Sequence, residues 1–428
     1  MNQVKTTLYA KNKDDSYQEW KVFVEGGVVQ VCFGKKGGKV QTKLTQCEPK
    51  NVGRANETTA EQQAMAEAIS KWEKQVRLGY RESTEDLETE EIFSVMLAAD
   101  AIKKSHMIIY PCYVQPKLDG LRCMVTYDSS GVPSFNSRGN KTYPIQGKIV
   151  DQVVVINEVT GFSLLDGEIY LHGLTLQKIS SLAKKWRTHA DIAKEIQKDF
   201  DGENKRRDKA VAEGQSQYKN CDGELVSVDL IPELDVDRYG GYESADLQFH
   251  IFDIPHKTKI WYSAQVEDRL DDLLVVNDVV NIKELSHIAI VLGDFFSDEQ
   301  SVKDQIAIHM QNGYEGDIIR NSKGVYEFGQ RSNDLLKWKI FQSEECLVTE
   351  YVIDKNNEAV LTGLTKSGKK FSFKMKGTNR DRNEAAAKRL IGKYVTFTFQ
   401  ALTDGGVPQF PVGICVREVN PVTWQPLD

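Results

Sequence analysis

Apolar and polar positions alternate along Trp20-Lys21-Val22-Phe23-Val24-Glu25, Gly26-Gly27 interrupts them, and Val28-Val29-Gln30-Val31-Cys32-Phe33 resumes the run. A period of two on either side of a Gly-Gly turn predicts a β-hairpin. The period then changes. Thr58-Thr59-Ala60-Glu61 offers a capping box, Met65, Ile69, Trp72 and Val76 recur at helical spacing, and Gly79 supplies the stop. Six carboxylates between Glu82 and Glu91 predict a solvated linker, followed by an apolar helix over Ile92 to Ile102. From Cys112 to about Phe341 short β-rich runs are broken by Gly and Asp-Gly, except at Leu182 to Asn220, which is charged and helical in composition and reads as an insertion. The last part, from about Gln342, carries strand-like runs at Leu347–Ile353, Lys370–Met375 and Tyr394–Phe399, with a helix-like Asn383–Ile391 before the last. Short strands with one helix between them suit a small barrel such as an OB-fold. The chain reads as α+β in three parts, 1–81, 82–341 and 342–428.

Composition narrows the function. A chain of 428 residues with 40% hydrophobic and 27% charged side chains can build real cores in more than one domain. No apolar run approaches eighteen residues, which excludes a helical membrane span, and Met1 to Lys11 lacks the apolar centre of a secretory leader. The seven cysteines are odd in number and form no C-x-x-C pair, against a disulfide framework or zinc knuckle and in favour of a reducing compartment. These features predict a cytoplasmic protein, or a viral or phage protein acting in its host's cytoplasm. A net charge of −7 excludes a uniformly basic nucleic-acid coat protein but permits a basic face.

The chemistry lies in an ordered series. Lys117-Leu118-Asp119-Gly120 has Arg122 two residues on; taken alone it reads as a hairpin turn. Ser137-Arg138-Gly139, Asp166-Gly167-Glu168, Phe252-Asp253, Glu315-Gly316 with Asp317-Ile318-Ile319-Arg320, and Leu335-Leu336-Lys337-Trp338-Lys339 follow in that order. A second Asp-Gly-Glu at 222–224 follows a polar segment and is the weaker candidate. The set resembles the nucleotidyltransferase motifs of ATP-dependent DNA ligases over about 230 residues. Small phage-type members are the most similar.

The resemblance implies an ATP-grasp-like ligase adenylation (nucleotidyltransferase) domain with antiparallel sheets over 82–341 and an OB-fold over 342–428. It implies sealing of 5′-phosphate/3′-hydroxyl nicks in duplex DNA by a monomer, with ATP and Mg²⁺, and Mn²⁺ as a substitute. Lys117 would become lysyl-AMP. An amine attacks phosphorus only when deprotonated, and nearby cations with partial burial would favour that form. Arg122 and Arg138 would hold nucleotide or nicked-strand phosphates, as a planar fork of donors suits. Glu168 would contact the ribose and bear on the metal, Glu315 would be the main carboxylate beside it, and Phe252 would stack on adenine. Lys337 and Lys339, two apart on a strand, would share one face and point into the site.

The end of the chain departs from the family pattern. Gln409 stands before Phe410-Pro411 where a basic residue is usual, and Arg417 is the candidate ATP contact. Lys366 to Lys393 holds ten Lys or Arg against Asp381 and Glu384, which suggests phosphate tracking through Lys369, Lys370, Arg380 and Arg382. The first 81 residues resemble a WGR domain, with Phe33-Gly34-Lys35 at the name motif, and imply DNA contacts from Lys35, Lys36 and Lys39. Two other readings stay open on the residues: an RNA ligase or capping-type nucleotidyltransferase, and a catalytically silent DNA-break binding module.

Overall fold

The computed structural model describes residues 2–12, 14–88, 93–220, 225–256, 264–339, 341–354, 356–403, 405–420 and 422–427. The second Asp-Gly-Glu triplet and the start of the expected helix at Ile92 lie outside them.

The N-terminal unit is one antiparallel sheet under a helix. Strands β1 (Asn2–Gln3) and β2 (Leu8–Lys11) pair with β3 (Tyr17–Glu25), which pairs with β4 (Val28–Lys35) and then β5 (Gln41–Gln46). The expected hairpin is β3–β4, in register from Gln18–Lys35 to Glu25–Val28. Helix α1 (Ala60–Arg77) lies on it, with Ala64 and Ala68 buried against Leu8, Trp20, Val22 and Val29. Two details differ from the pattern. The capping box is one residue later, Thr59 with Gln62, and Met65 faces outward because the small Ala64 and Ala68 take the seam against Trp20.

Two five-stranded sheets form the central unit. The first runs β15 (Asp294–Phe296), β7 (Cys112–Lys117), β16 (Gly316–Asn321), β17 (Arg331–Lys339), β6 (Leu97–Asp100). The second runs β14 (Ile288–Ile290), β13 (Gln248–Asp253), β10 (Leu164–Tyr170), β8 (Leu121–Tyr127), β9 (Pro133–Ser137). Helices α2 (Lys148–Thr160), α3 (Leu176–Lys184) and α5 (Val266–Ile282) bury Val153, Ile156, Ile179, Leu182 and Leu273 against the second sheet. Helix α6 (Glu299–Gln311) buries Val302 and Ile306 against the first. A smaller core of Met96, Met124, Leu164, Tyr326 and Leu335 joins the two sheets. The charged stretch after α3 is the 24-residue α4 (His189–Ala212), followed by the small hairpin β11 (Gln217–Lys219) and β12 (Leu225–Ser227).

The helix expected up to Ile102 is absent there: Leu97–Asp100 is strand β6, parallel to β17. A short apolar run cannot be told from a buried helix by periodicity, and its partner lies more than 200 residues away. The Lys117–Gly120 motif is no hairpin either. It leaves β7 in one sheet and enters β8 in the other, so the chain crosses between sheets there.

The last unit closes five strands on themselves: β18 (Gln342–Ile353), β19 (Ala359–Leu364), β20 (Lys370–Met375), β22 (Val412–Arg417) and β21 (Tyr394–Phe399), which returns to β18. Helix α7 (Glu384–Leu390) starts from an Asn383 cap, and Phe371, Phe373, Phe397 and Phe399 fill the interior.

Candidate active site

Strand register assembles the site. On three neighbouring strands of the first sheet Lys117 is opposite Gly316, and Gly316 is opposite Lys339. One step along, Gln115, Ile318 and Lys337 form the next row. Because side chains two apart share a face, Lys117, Lys337 and Lys339 come to one wall. Glu315 immediately precedes Gly316, its N–H donating to the Lys117 carbonyl at 3.1 Å. Its carboxylate takes the Lys117 ammonium on one oxygen and the Lys339 ammonium on the other. The second sheet supplies the facing wall, with Glu168 directly across from Arg122 and Phe252 on the adjacent strand.

Glycines permit the crossing to be tight. A Cβ on Gly120 would lie 2.5 Å from the Ile169 carbonyl oxygen and 2.7 Å from Glu168 Cγ, and one on Gly167 would lie 2.5 Å from the His250 carbonyl oxygen. The two Asp-Gly pairs therefore serve close backbone packing, which any side chain would prevent.

The walls enclose a cleft of about 240 Å³ lined by Lys117, Arg122, Arg138, Glu168, Phe252, Lys337 and Lys339 among others. Seven of the residues expected in the site thus share one cavity, with Glu315 bridging two of them. Arg417 is not among the lining residues; it ends β22 opposite Tyr394. The cleft also takes Gln115 and Arg331, which lie outside the motifs, and Arg320, which ends the Glu315 motif without an assigned role. Gln115 is recognisable only in three dimensions: it is buried, donating to the Val291 carbonyl at 2.7 Å and accepting from Arg320 Nε at 2.6 Å.

Charge in the cleft is organised around a few acids, Asp166 fully buried and Glu168 and Asp119 partly so. Burial pushes the Glu168 carboxyl up to about 7, against the pull of Lys117 and Arg122. Asp119 is raised by burial and by Glu315. Lys337 is lowered by burial, then by Lys339, Arg331 and Lys117. Arg122 differs from the expectation of a free phosphate fork. Its Nε donates to Asp166 at 2.7 Å, its other arm reaches the second oxygen, and its guanidinium lies 4.4 Å from the Phe252 ring centre. Burial opposes its charge, and the fully buried Asp166 more than offsets this and holds it.

The third unit reaches in through Gln400, just beyond β21, which accepts from Lys339 Nζ at 2.9 Å and donates to Glu315. Nothing in its sequence context marks it. Among the expected DNA contacts, Lys369 and Arg380 are exposed, whereas Arg382 pairs with Glu358 at 2.9 Å and Lys370 with Glu350 at 3.5 Å. The single-sign run is therefore partly neutralised by acids from earlier in the chain, with Lys374 held by Asp354 and Glu358 of the β18–β19 turn at 2.6 Å each. In the N-terminal unit Lys35 pairs with Asp14 at 3.1 Å, Lys36 lies 4.9 Å from the Tyr9 ring centre, and Lys39 is exposed.

Among the described residues no group of three or more His, Cys, Asp or Glu forms a metal cage, and no helix is long and apolar enough to cross a membrane.

Comparison with known proteins gives this geometry a family. Residues 95–339, more than half of the chain, match the ATP dependent DNA ligase domain, and residues 358–417 match the DNA ligase OB-like domain. A DNA ligase of African swine fever virus is 23% identical over 351 residues, covering 79% of this chain and 65% of the viral protein. A DNA ligase of Haemophilus influenzae is 33% identical over 97 residues, which is 22% of this chain and 35% of that enzyme. This chain therefore spans less than two thirds of either relative. A solved structure of a Lig E DNA ligase superposes at TM-score 0.50 and 18% identity over 76% of this chain and all of the other. The structure titled Pmar-Lig_Pre superposes at 0.54 and 18% identity, over 77% and 68% respectively. Both share the fold. The match begins at residue 95, so the WGR-like reading of the first 81 residues rests on sequence resemblance alone. With its catalytic and OB-like segments both matched, the chain belongs to the ATP-dependent DNA ligase family.

Proposed function

We propose that this protein seals 5′-phosphate/3′-hydroxyl nicks in duplex DNA, with Lys117 carrying AMP between ATP and the nick. The observation that carries the reading is the Lys117–Glu315–Lys339 row, set opposite Glu168 and Phe252 across one cleft. A lysine at a strand end, a carboxylate against it and two more lysines on its wall are what adenylyl transfer requires, because the reaction is mainly positioning and charge neutralisation.

In the first step the Lys117 amine attacks the α-phosphorus of ATP, a P–N bond forms, and the bond to pyrophosphate breaks. To act, the amine must leave its pair with Glu315 and lose a proton; Lys337 and Lys339 would take up the phosphate charge. AMP then passes to the 5′-phosphate of the nick, freeing Lys117, and the 3′-hydroxyl oxygen displaces AMP to form the phosphodiester. Arg138, exposed on the lining of the cleft, would meet a strand phosphate. Arg122 acts differently, holding Phe252 and Asp166 as part of the wall. The hard oxygen donors Glu315 and Glu168, few in number, fit a Mg²⁺ that keeps waters and phosphate ligands, with Mn²⁺ as a substitute; such an ion supplies charge neutralisation at the phosphates. The exposed Lys36, Lys39, Lys369 and Arg380 are the DNA contacts this reading retains.

The test is sealing of a nicked duplex by the wild type and by Lys117→Ala, run with ATP and with GTP, on nicked DNA and nicked RNA. Sealing of DNA with ATP alone, lost in the variant, supports the proposal; a preference for GTP or RNA would overturn it.

A further inference from the structure

The last turn of α1 leaves four carbonyls that the helix itself cannot pair. Three are met locally. The Lys74 carbonyl accepts from Leu78 N, that of Gln75 from Tyr80 N, and that of Val76 from Gly79 N, at 3.0–3.1 Å. The fourth is met from another part of the molecule: Asn140 Nδ2 donates to the Arg77 carbonyl at 2.9 Å, and also reaches Ser94 Oγ at 3.2 Å. Ser94 stands where the chain enters the edge of the cleft at Val95 and Met96.

Asn140 sits in the turn that carries Arg138. That turn is tight: Asn140 N donates to the Ser137 carbonyl at 2.7 Å, Ser137 N to the Lys141 carbonyl at 2.9 Å, and Lys141 N to Ser137 Oγ at 2.9 Å. Asn140 has φ +54°, a left-handed conformation that Asn tolerates better than most residues. One side-chain amide therefore ties the end of the N-terminal helix, the entry to the cleft and the turn presenting a cleft arginine.

We propose that Asn140 is a positioning residue through which the N-terminal unit braces the Arg138 turn, so that this unit contributes to sealing from inside the molecule whatever else it binds. The inference rests on the functional reading above only for the step it affects. The brace itself is a matter of structure. A turn pinned at its own hydrogen bonds can still rock as a body, and an anchor on α1 removes that freedom. Misplacing a phosphate-holding group by about an ångström costs up to a hundredfold in rate.

Two variants separate the amide from the backbone. Asn140→Asp keeps shape and left-handed tolerance but loses the donor; Asn140→Gly keeps backbone freedom and loses the side chain. Their shared defect is the missing NH₂. In the full-length protein both should seal a pre-adenylated nick roughly tenfold more slowly, with AMP loading of Lys117 changed less than about twofold. In an Arg138→Ala background neither should slow sealing further, because the two residues act as one unit. Hydrogen exchange of the free protein should show the amides of Leu78, Gly79 and Tyr80 losing protection in both variants. Wild-type sealing rates in either variant, or an undiminished tenfold loss in the Arg138→Ala background, would overturn the proposal, as would unchanged exchange. If the unsubstituted protein seals no nicks at all, the functional reading fails, and the exchange measurement, which needs no reaction, still decides the brace.

Discussion

Asp253 offers the clearest energetic handle on the cleft wall. It is 2% exposed and holds two arginines that are equally hidden, Arg269 at 2% and Arg320 at 3%. Arg269 Nε donates to it at 2.7 Å and Arg320 takes its other oxygen; Arg320 then passes to Gln115 at 2.6 Å and to the Phe252 carbonyl at 3.3 Å. Burial opposes the carboxylate's charge, but the two guanidiniums win and hold Asp253 at about 2, below its ordinary 3.8. Replacing it with Asn leaves two buried cations without a counter-charge, and guanidinium cannot escape by losing a proton. Breaking one buried pair costs about 3–5 kcal/mol, and here two are broken, so we expect the upper end. For a unit of this size that corresponds to roughly 10–15 °C in the midpoint of the transition of the central unit, measured by scanning calorimetry at pH 7.5. A depressed carboxylate contributes stability that is present above its unfolded pKa and disappears as pH falls, here between about 4 and about 2. Asp253→Asn should therefore flatten the acid limb of the wild type's stability profile. Phe252 and Gln115 rest on this network, so KM for ATP should rise in whatever protein folds. A midpoint shift corresponding to less than about 1 kcal/mol at neutral pH would refute the reasoning.

Three further predictions concern the site directly. Glu168, held at about 7 by burial, binds its proton more tightly folded than unfolded, so its ionisation destabilises the nucleotide- and metal-free protein as pH rises from about 4.5 to 7. Glu168→Gln should stabilise that form by about 1–2 kcal/mol at pH 8 after allowance for its access to the cleft, with the gain vanishing below pH 5 while sealing is lost; a gain that grows toward acid pH would contradict it. Gly120→Ala must displace the Ile169 carbonyl, found 2.5 Å from the added carbon, and should lower AMP loading at least tenfold without unfolding the chain by circular dichroism. Gln400→Ala removes a neutral group bonded to both Glu315 and Lys339, and should slow AMP loading several-fold in single-turnover labelling while leaving sealing of a pre-adenylated nick within about twofold.

What the sequence reveals is what local pattern governs. The β3–β4 hairpin follows from alternation around Gly26-Gly27, and α7 (Glu384–Leu390) falls within the expected Asn383–Ile391, with Asn383 as its cap. The motif series converges because strand register gathers it: Lys117 closes β7, Arg138 follows β9 and Glu315 precedes β16, while Glu168 lies within β10 opposite Arg122. Long-range pairing is where pattern fails. Leu97–Asp100 is a strand only because β17 lies beside it, and the basic run after Lys366 loses its single sign only because Glu350 on β18 and Asp354 and Glu358 in the β18–β19 turn pair with it. Asn140 and Gln400 carry no signal at all, being polar loop residues whose partners, Arg77 for the one and Glu315 and Lys339 for the other, lie in another unit of the chain. Arg122 shows a subtler limit. Its position was legible, but its commitment to Asp166 depends on a register that only the folded sheet supplies.

The most direct measurement of the central claim is the mass of the intact protein after incubation with ATP and Mg²⁺, followed by peptide mapping. A gain of one AMP on Lys117, absent from Lys117→Ala and discharged on adding nicked duplex, is the predicted result. AMP found on another residue, or uptake undiminished in Lys117→Ala, would contradict it.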